Sequence, residues 1–104
     1  MDYEEVFQQI MEKASDMIGE VAYKQADQVK GVEINDREVE GEIGEKQLKE
    51  LIEKYHKIMG EGAYGVVRES IKEIYREDES IAQLELPEEV TPKEVRASKF
   101  ASAL

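Results

Sequence analysis

Residues Tyr3 to Tyr23 align without a gap on Gly44 to Tyr64, an offset of 41 positions. This self-similarity constrains the fold more than any other feature of the chain. Seven columns are identical: Glu4/Glu45, Glu12/Glu53, Lys13/Lys54, Gly19/Gly60, Glu20/Glu61, Ala22/Ala63 and Tyr23/Tyr64. Five more keep a large apolar residue: Phe7/Leu48, Ile10/Leu51, Met11/Ile52, Met17/Ile58 and Ile18/Met59. Helical period and glutamate-rich composition account for much of that agreement, but they do not generate the shared ending Gly-Glu-x-Ala-Tyr. The alignment reads as an internal duplication of one helical unit.

Within the first copy, Val6, Phe7, Ile10, Met11, Ala14, Met17, Ile18, Val21 and Ala22 fall on one broad apolar stripe at helical spacing. Glu5, Glu12, Asp16, Glu20 and Asp27 lie opposite. With no proline to interrupt it, one long helix is predicted over 2–30. In the second copy Leu48, Leu51, Ile52, Tyr55, Ile58 and Met59 carry the stripe, which resumes at Ala63, Val66, Val67, Ser70, Ile71 and Ile74. A helix or helix pair is therefore expected over 45–76, with Gly60, Gly62 and Gly65 at the junction. Each glycine costs about 1 kcal/mol in a helix interior. Since Gly19 sits in an otherwise continuous helical pattern, its repeat partner Gly60 is expected to be helical too. There a missing side chain would let two backbones cross closely.

Between the copies the period changes. Val32 to Ile34 and Arg37 to Ile43 alternate apolar with polar around Asn35-Asp36, which tolerate the left-handed backbone of a tight turn. This predicts a β-hairpin connector over 31–44. Beyond it, 77–104 reads as an acidic tail and a short last helix from Pro92. Thr91 is expected to cap that helix, with Pro92 at its first position and Val95, Phe100 and Leu104 as apolar anchors.

The fold class that follows is mainly α: a single helical domain, 1–104, built as an antiparallel helical hairpin with a β-hairpin connector and a short C-terminal helix. Two helices do not cover two stripes this wide, so a second copy of the chain is expected to complete a homodimeric four-helix core.

Charge and composition narrow the functions. Fourteen Lys and Arg stand against 25 Asp and Glu, a formal net charge of −11. The cations are scattered singly along the sequence, so no nucleic-acid partner is expected. No run approaches the roughly 18 apolar residues of a membrane span, and the acidic start Asp2-Tyr3-Glu4-Glu5 has the wrong sign for a targeting peptide. No membrane partner is expected, and the location expected is cytoplasmic. The chain has no cysteine, which removes thiolate ligands and nucleophiles. Its charged fraction, 38 %, with many Glu and Lys, fits a thermophile's composition.

Three segments have the outline of chemical motifs. Gly60, Gly62, Gly65 and Val67 match G-x-G-x-x-G-x-V, and the segment resembles the glycine-rich phosphate loop of protein kinases. That loop joins two strands, whereas the flanks here are helical in period, and the strand lysine, catalytic loop and metal-binding motifs of that family are missing. Asp36 to Gln47 resembles an EF-hand calcium loop, with acids at its first, third and fifth positions (Asp36, Glu38, Glu40), Gly41 sixth and Ile43 eighth. Gln47 replaces the bidentate glutamate at the twelfth, so a solvated acidic hairpin is the better reading. Finally, Glu53-x-x-His56 has the spacing of four-helix di-iron proteins, and a dimer would supply it twice. At about 100° per residue His56 falls at the stripe's border and Glu53 on the polar face. The acids Glu12, Asp16 and Glu20 of the first helix face outward. Glu53 and His56 are the candidate metal ligands; no catalytic residue and no cofactor is assigned.

The reading that results is a non-enzymatic helical module that self-associates and engages a protein partner. The alternative is a metal- or small-ligand-binding helical bundle.

Overall fold

The computed structural model describes residues 2–103, with side chains described as far as Ser98. In chain order the elements are α1 (Tyr3–Ile18), α2 (Val21–Asp27), β1 (Val32–Asn35), β2 (Glu38–Gly41), α3 (Glu45–Met59), α4 (Gly62–Glu77) and α5 (Lys93–Ala103). Two short 3-10 segments, Glu79–Gln83 and Glu88–Val90, lead from α4 to α5. The fold is mainly helical, with one small antiparallel sheet.

Local chemistry sets the starts of α1 and α3. The Asp2 carboxylate accepts from the Glu5 amide at 3.0 Å, and Glu4 and Glu5 favour the positive end of the helix dipole. At α3 the Gln47 side chain reaches back and accepts from the Gly44 amide at 3.0 Å. Gln47 is the residue standing where a calcium loop would place its bidentate glutamate.

The continuous helix expected over 2–30 is instead two helices, α1 and α2, which part at Gly19. Gly19 has φ 65° and ψ −145°, and Gly60, which parts α3 from α4, has φ 64° and ψ −144°. Neither glycine is helical, contrary to the expectation that they mark a helix crossing. This region of backbone space is open almost only to glycine, so each position ends one helix and lets the chain re-enter another within two residues. The hydrogen bonds match too. Gly19 donates to the Ser15 carbonyl at 2.9 Å and Gly60 to the His56 carbonyl at 2.8 Å. Burial matches at the same offset too: Ala22/Ala63 within the alignment, and Ala26/Val67 and Val29/Ser70 just beyond it, are all buried.

The connector forms a hairpin with Val32 opposite Gly41 and Ile34 opposite Val39. Its turn is Asp36-Arg37, one residue later than Asn35-Asp36, with φ 49° and 65°. Positive φ at both central residues is the turn whose twist suits a two-residue hairpin. Each outer edge is closed by a side chain. Gln8 from α1 accepts from the Val39 amide and donates to the Arg37 carbonyl, both at 2.8 Å. On the other edge Asp27 accepts from the Ile34 amide at 3.0 Å. Unpaired strand edges template association, and here side chains occupy them.

The core is continuous through the chain. Val6, Phe7, Ile10, Met11 and Ala14 of α1 are fully buried, packed with Leu48, Leu51 and Tyr55 of α3 and Val67 and Ile71 of α4. Helix α1 lies chiefly against α4 and α2, and β2 also leans on it. Ile81, Val90 and Val95 close the core from the C-terminal side. The Cα radius of gyration, 13.1 Å, is close to the ~13 Å of a folded chain near this length. Most of the apolar stripe of α1 is thus covered within one chain, chiefly by α4 and α2. Among the described residues the large apolar side chains left exposed are Met17, Val21 and Ile58.

At the last helix the Thr91 hydroxyl donates to the Pro87 carbonyl at 2.8 Å instead of capping α5. Pro92 is buried and its carbonyl receives the first amides of the helix. Val95 anchors α5 as expected, while the anchoring assigned to Phe100 and Leu104 lies outside the described side chains.

Candidate binding clefts at the second glycine corner

The two glycine corners place equivalent residues together and equip them differently. At the first, the Tyr23 hydroxyl donates to Ser15 Oγ at 3.2 Å. Arg37 arrives from the hairpin, stands 5.5 Å from the Tyr23 ring centre and pairs with Glu20. At the second, the aligned pair His56 and Tyr64 stacks ring on ring, 4.8 Å between centroids and 16° between planes. His56 Nε2 lies 3.6 Å from Glu61, the partner of Glu20 in the alignment. Each corner therefore sets a glutamate beside a nitrogen-bearing side chain. The hairpin supplies it at the first corner as Arg37, and His56 supplies it at the second.

The second corner opens into a cleft of about 540 Å³ lined by Lys49, Ile52, Glu53, His56, Lys57, Tyr64, Pro87, Glu88 and Glu89. The structure thus brings both candidate ligands, Glu53 and His56, to one cleft. No group of three or more His, Asp or Glu side chains is disposed to hold a metal ion among the described residues. The acids expected to face outward from the first predicted helix do so: Glu12 and Asp16 on α1 and Glu20 at the start of α2 are exposed. Ile52 and Pro87 provide apolar surface, and the His56–Tyr64 stack offers a flat aromatic face. Lys49 is held by Glu45 at 2.8 Å, which raises its affinity for the proton.

A second cleft, about 610 Å³, adjoins the first through Glu88 and Glu89. Arg68 and Lys72 of α4 and Lys93 and Arg96 of α5 line it, with Glu94. Sequence reading missed this grouping because the four cations come from two helices far apart in the chain. The signal available was their helical spacing, four apart on α4 and three apart on α5. Arg68 donates to the Glu89 carbonyl and Arg96 to the Glu88 carbonyl, both at 2.7 Å, so two arginines hold the segment between the clefts.

The other motif outlines resolve into structure. Gly60 ends α3, whereas Gly62 and Gly65 lie inside α4, so the kinase-like glycine pattern forms a corner and a helix turn instead of a strand-flanked loop. In the calcium-like segment Glu38 and Glu40 are exposed on β2 around the buried Val39, Asn35 pairs with Glu40, and Gln47 caps α3. Among the described residues no helix is long and apolar enough to cross a membrane.

These elements define a mainly helical chain in which two helix–glycine–helix units flank a hairpin and a mixed-charge double cleft opens beside the second unit. Compared with known proteins, the chain matches no family model, no curated protein and no solved structure.

Proposed function

We propose that this chain is a non-enzymatic helical interaction module that self-associates through its glycine corners. The observation that carries the reading is the exposure of Met17 and Ile58, 66 % and 44 %. They occupy the same column of the alignment, two residues before the corner glycine, while their stripe neighbours Ala14 and Tyr55 are fully buried. Val21, 41 % exposed, extends the apolar surface of the first corner. Burying one such side chain in an interface contributes about 1.5–3 kcal/mol, so a few of them, mated between copies, make a weak dimer stable at high protein concentration. These three are the part of the apolar stripes that the chain leaves uncovered. We read the two units as copies of one duplicated unit on the matched corner geometry and burial.

Sedimentation velocity tests the proposal. The wild-type chain is expected to sediment as a dimer at high concentration, and Met17→Lys with Ile58→Lys as a monomer with unchanged circular dichroism. A wild-type chain that stays monomeric up to millimolar concentration overturns it.

A second reading, metal or small-ligand binding, is favoured by one observation: Glu53 and His56 line the same cleft beside an aromatic platform. Native mass spectrometry with zinc present checks it. Retention of one ion by the wild type and its loss in His56→Ala is the expected result, and equal retention by both rejects His56 as a ligand.

A further inference from the structure

We propose that the self-association is crossed: the first glycine corner of one chain seats on the second corner of another copy, Met17 against Ile58, with Asp16 and Lys57 paired across the contact. The inference rests on reading the chain as a self-associating module and names which surface of the second copy each corner takes. Its basis is one column of the internal alignment. Asp16 and Lys57 share that column, directly before Met17 and Ile58. Both are exposed, and neither forms an ion pair within 4.0 Å among the described residues. The acids that directly follow the corner glycines are already engaged: Glu20 pairs with Arg37, and Glu61 lies beside His56. Each corner thus presents an exposed apolar side chain next to an unpaired charge, and the two charges are opposite.

Like corners meeting would set Asp16 against Asp16 and Lys57 against Lys57, so both contacts would repel. Crossed corners make both contacts attractive. A charged pair beside a small apolar contact fixes its register and opposes wrong pairings more than it adds affinity. The unbranched Met17 side chain can adapt its shape to Ile58. The two corners are also neighbours within one chain. The Tyr55 hydroxyl donates to the Ala22 carbonyl at 2.8 Å, and these residues lie five before Gly60 and three after Gly19. A two-fold axis repeats every contact in reverse, so one chain's first corner on the partner's second corner brings the reciprocal contact with it. The surface is therefore complementary to itself, and a dimer satisfies both corners.

Sedimentation equilibrium on the full chain tests this with charge variants. Asp16→Lys and Lys57→Asp each put like charges in both crossed contacts and should weaken the dimer by about tenfold or more. Combining the two substitutions restores opposite charges at the wild-type net charge. The dissociation constant should then return to within about threefold of wild type. Glu5→Lys is the control, because Glu5 and Lys46 form the other column of reversed charge but lie in the first turns of α1 and α3, away from the corners. It changes net charge as Asp16→Lys does and should alter association by no more than about twofold. Circular dichroism verifies folding, and since Glu5, Asp16 and Lys57 are exposed a folded protein is expected. If net charge alone governed association, Asp16→Lys would strengthen it, since the chain carries −11. That result, single variants without effect, equal weakening by Glu5→Lys, or a combined variant as weak as the single ones each overturns the crossed pairing and leaves self-association standing. A wild-type chain that stays monomeric overturns both.

Discussion

Gly19 and Gly60, 41 positions apart, hold the same backbone conformation to within a degree in φ and in ψ, and each donates its amide to the carbonyl four residues before it. A Cβ built at either meets nothing within 4 Å. The glycine requirement there is purely one of backbone conformation, with no packing component.

That separation makes the corners measurable. Gly19→Ala and Gly60→Ala are each expected to cost about 1–3 kcal/mol from backbone strain, with the two values alike. Gly62 and Gly65 also have open space around a built Cβ, but they sit inside α4. Gly65→Ala should stabilise the protein by about 0.5–1 kcal/mol, and Gly62→Ala, at the first position of the helix, by less. Urea unfolding of the four variants checks the opposite signs.

Gly41 is the contrasting case, where conformation and space both demand glycine. Its φ is 118° and a Cβ would lie 2.3 Å from the Gly31 carbonyl oxygen. Because Gly31 is backbone, nothing flexible can give way. Gly41→Ala is expected to destabilise by about 2–6 kcal/mol, strain and overpacking together. Its loss in thermal unfolding should exceed that of Gly19→Ala.

Gln8 serves both functional groups of its amide to the edge of β2. Gln8→Leu keeps the bulk and leaves the Val39 amide without its partner, at an expected cost of about 1–3 kcal/mol. Hydrogen exchange at Val39 should quicken in this variant by more than at the α1 core amides, which follow global stability. Unchanged protection at Val39 would show that Gln8 does not guard the edge.

Tyr55 couples the units, its hydroxyl donating to the Ala22 carbonyl at 2.8 Å. Burial pushes the Tyr55 phenol above its ordinary 10.0, as it does to a lesser degree for Tyr3. With the folded value raised, the unfolded state loses its proton first. The stabilising contribution is therefore complete below about pH 10 and falls as pH rises above it. Tyr55→Phe is expected to cost about 0.5–1.5 kcal/mol at neutral pH and to flatten the alkaline decline. Denaturant titrations across that pH range measure both.

Much of the fold was legible because it is written in local periods. The stripe from Val6 to Ala14 and its counterpart from Leu48 to Tyr55 are helical patterns that any compact chain must bury, and the alternation around the connector announced the hairpin. Its turn was misplaced by one residue because Asn35 and Asp36 both suit the left-handed region, and Arg37, which occupies it, carries no such signature. Pairing with Glu20 and packing over Tyr23 help hold Arg37 there, and both partners come from a distant corner. The outline of the candidate site was half visible. Glu53 and His56 share a helix and so a spacing, whereas Arg68, Lys72, Lys93 and Arg96 meet only after α5 folds back.

What the sequence determined by itself was most of the buried set, with Met17, Val21 and Ile58 the exceptions, since hydrophobic burial depends on side-chain type and period. It also determined the two places where glycine permits a helix to end. Tertiary structure decided that both helices do end there. A helical glycine costs only about 1 kcal/mol, so local preference leaves the choice nearly balanced, and burial of Ala22, Ala26 and Val67 after the corners settles it. The same folding decided that one chain covers most of its own stripe, and it brought the cations of α4 and α5 together with glutamates in one mixed-charge cleft. Charge and contact between distant segments belong to no local pattern.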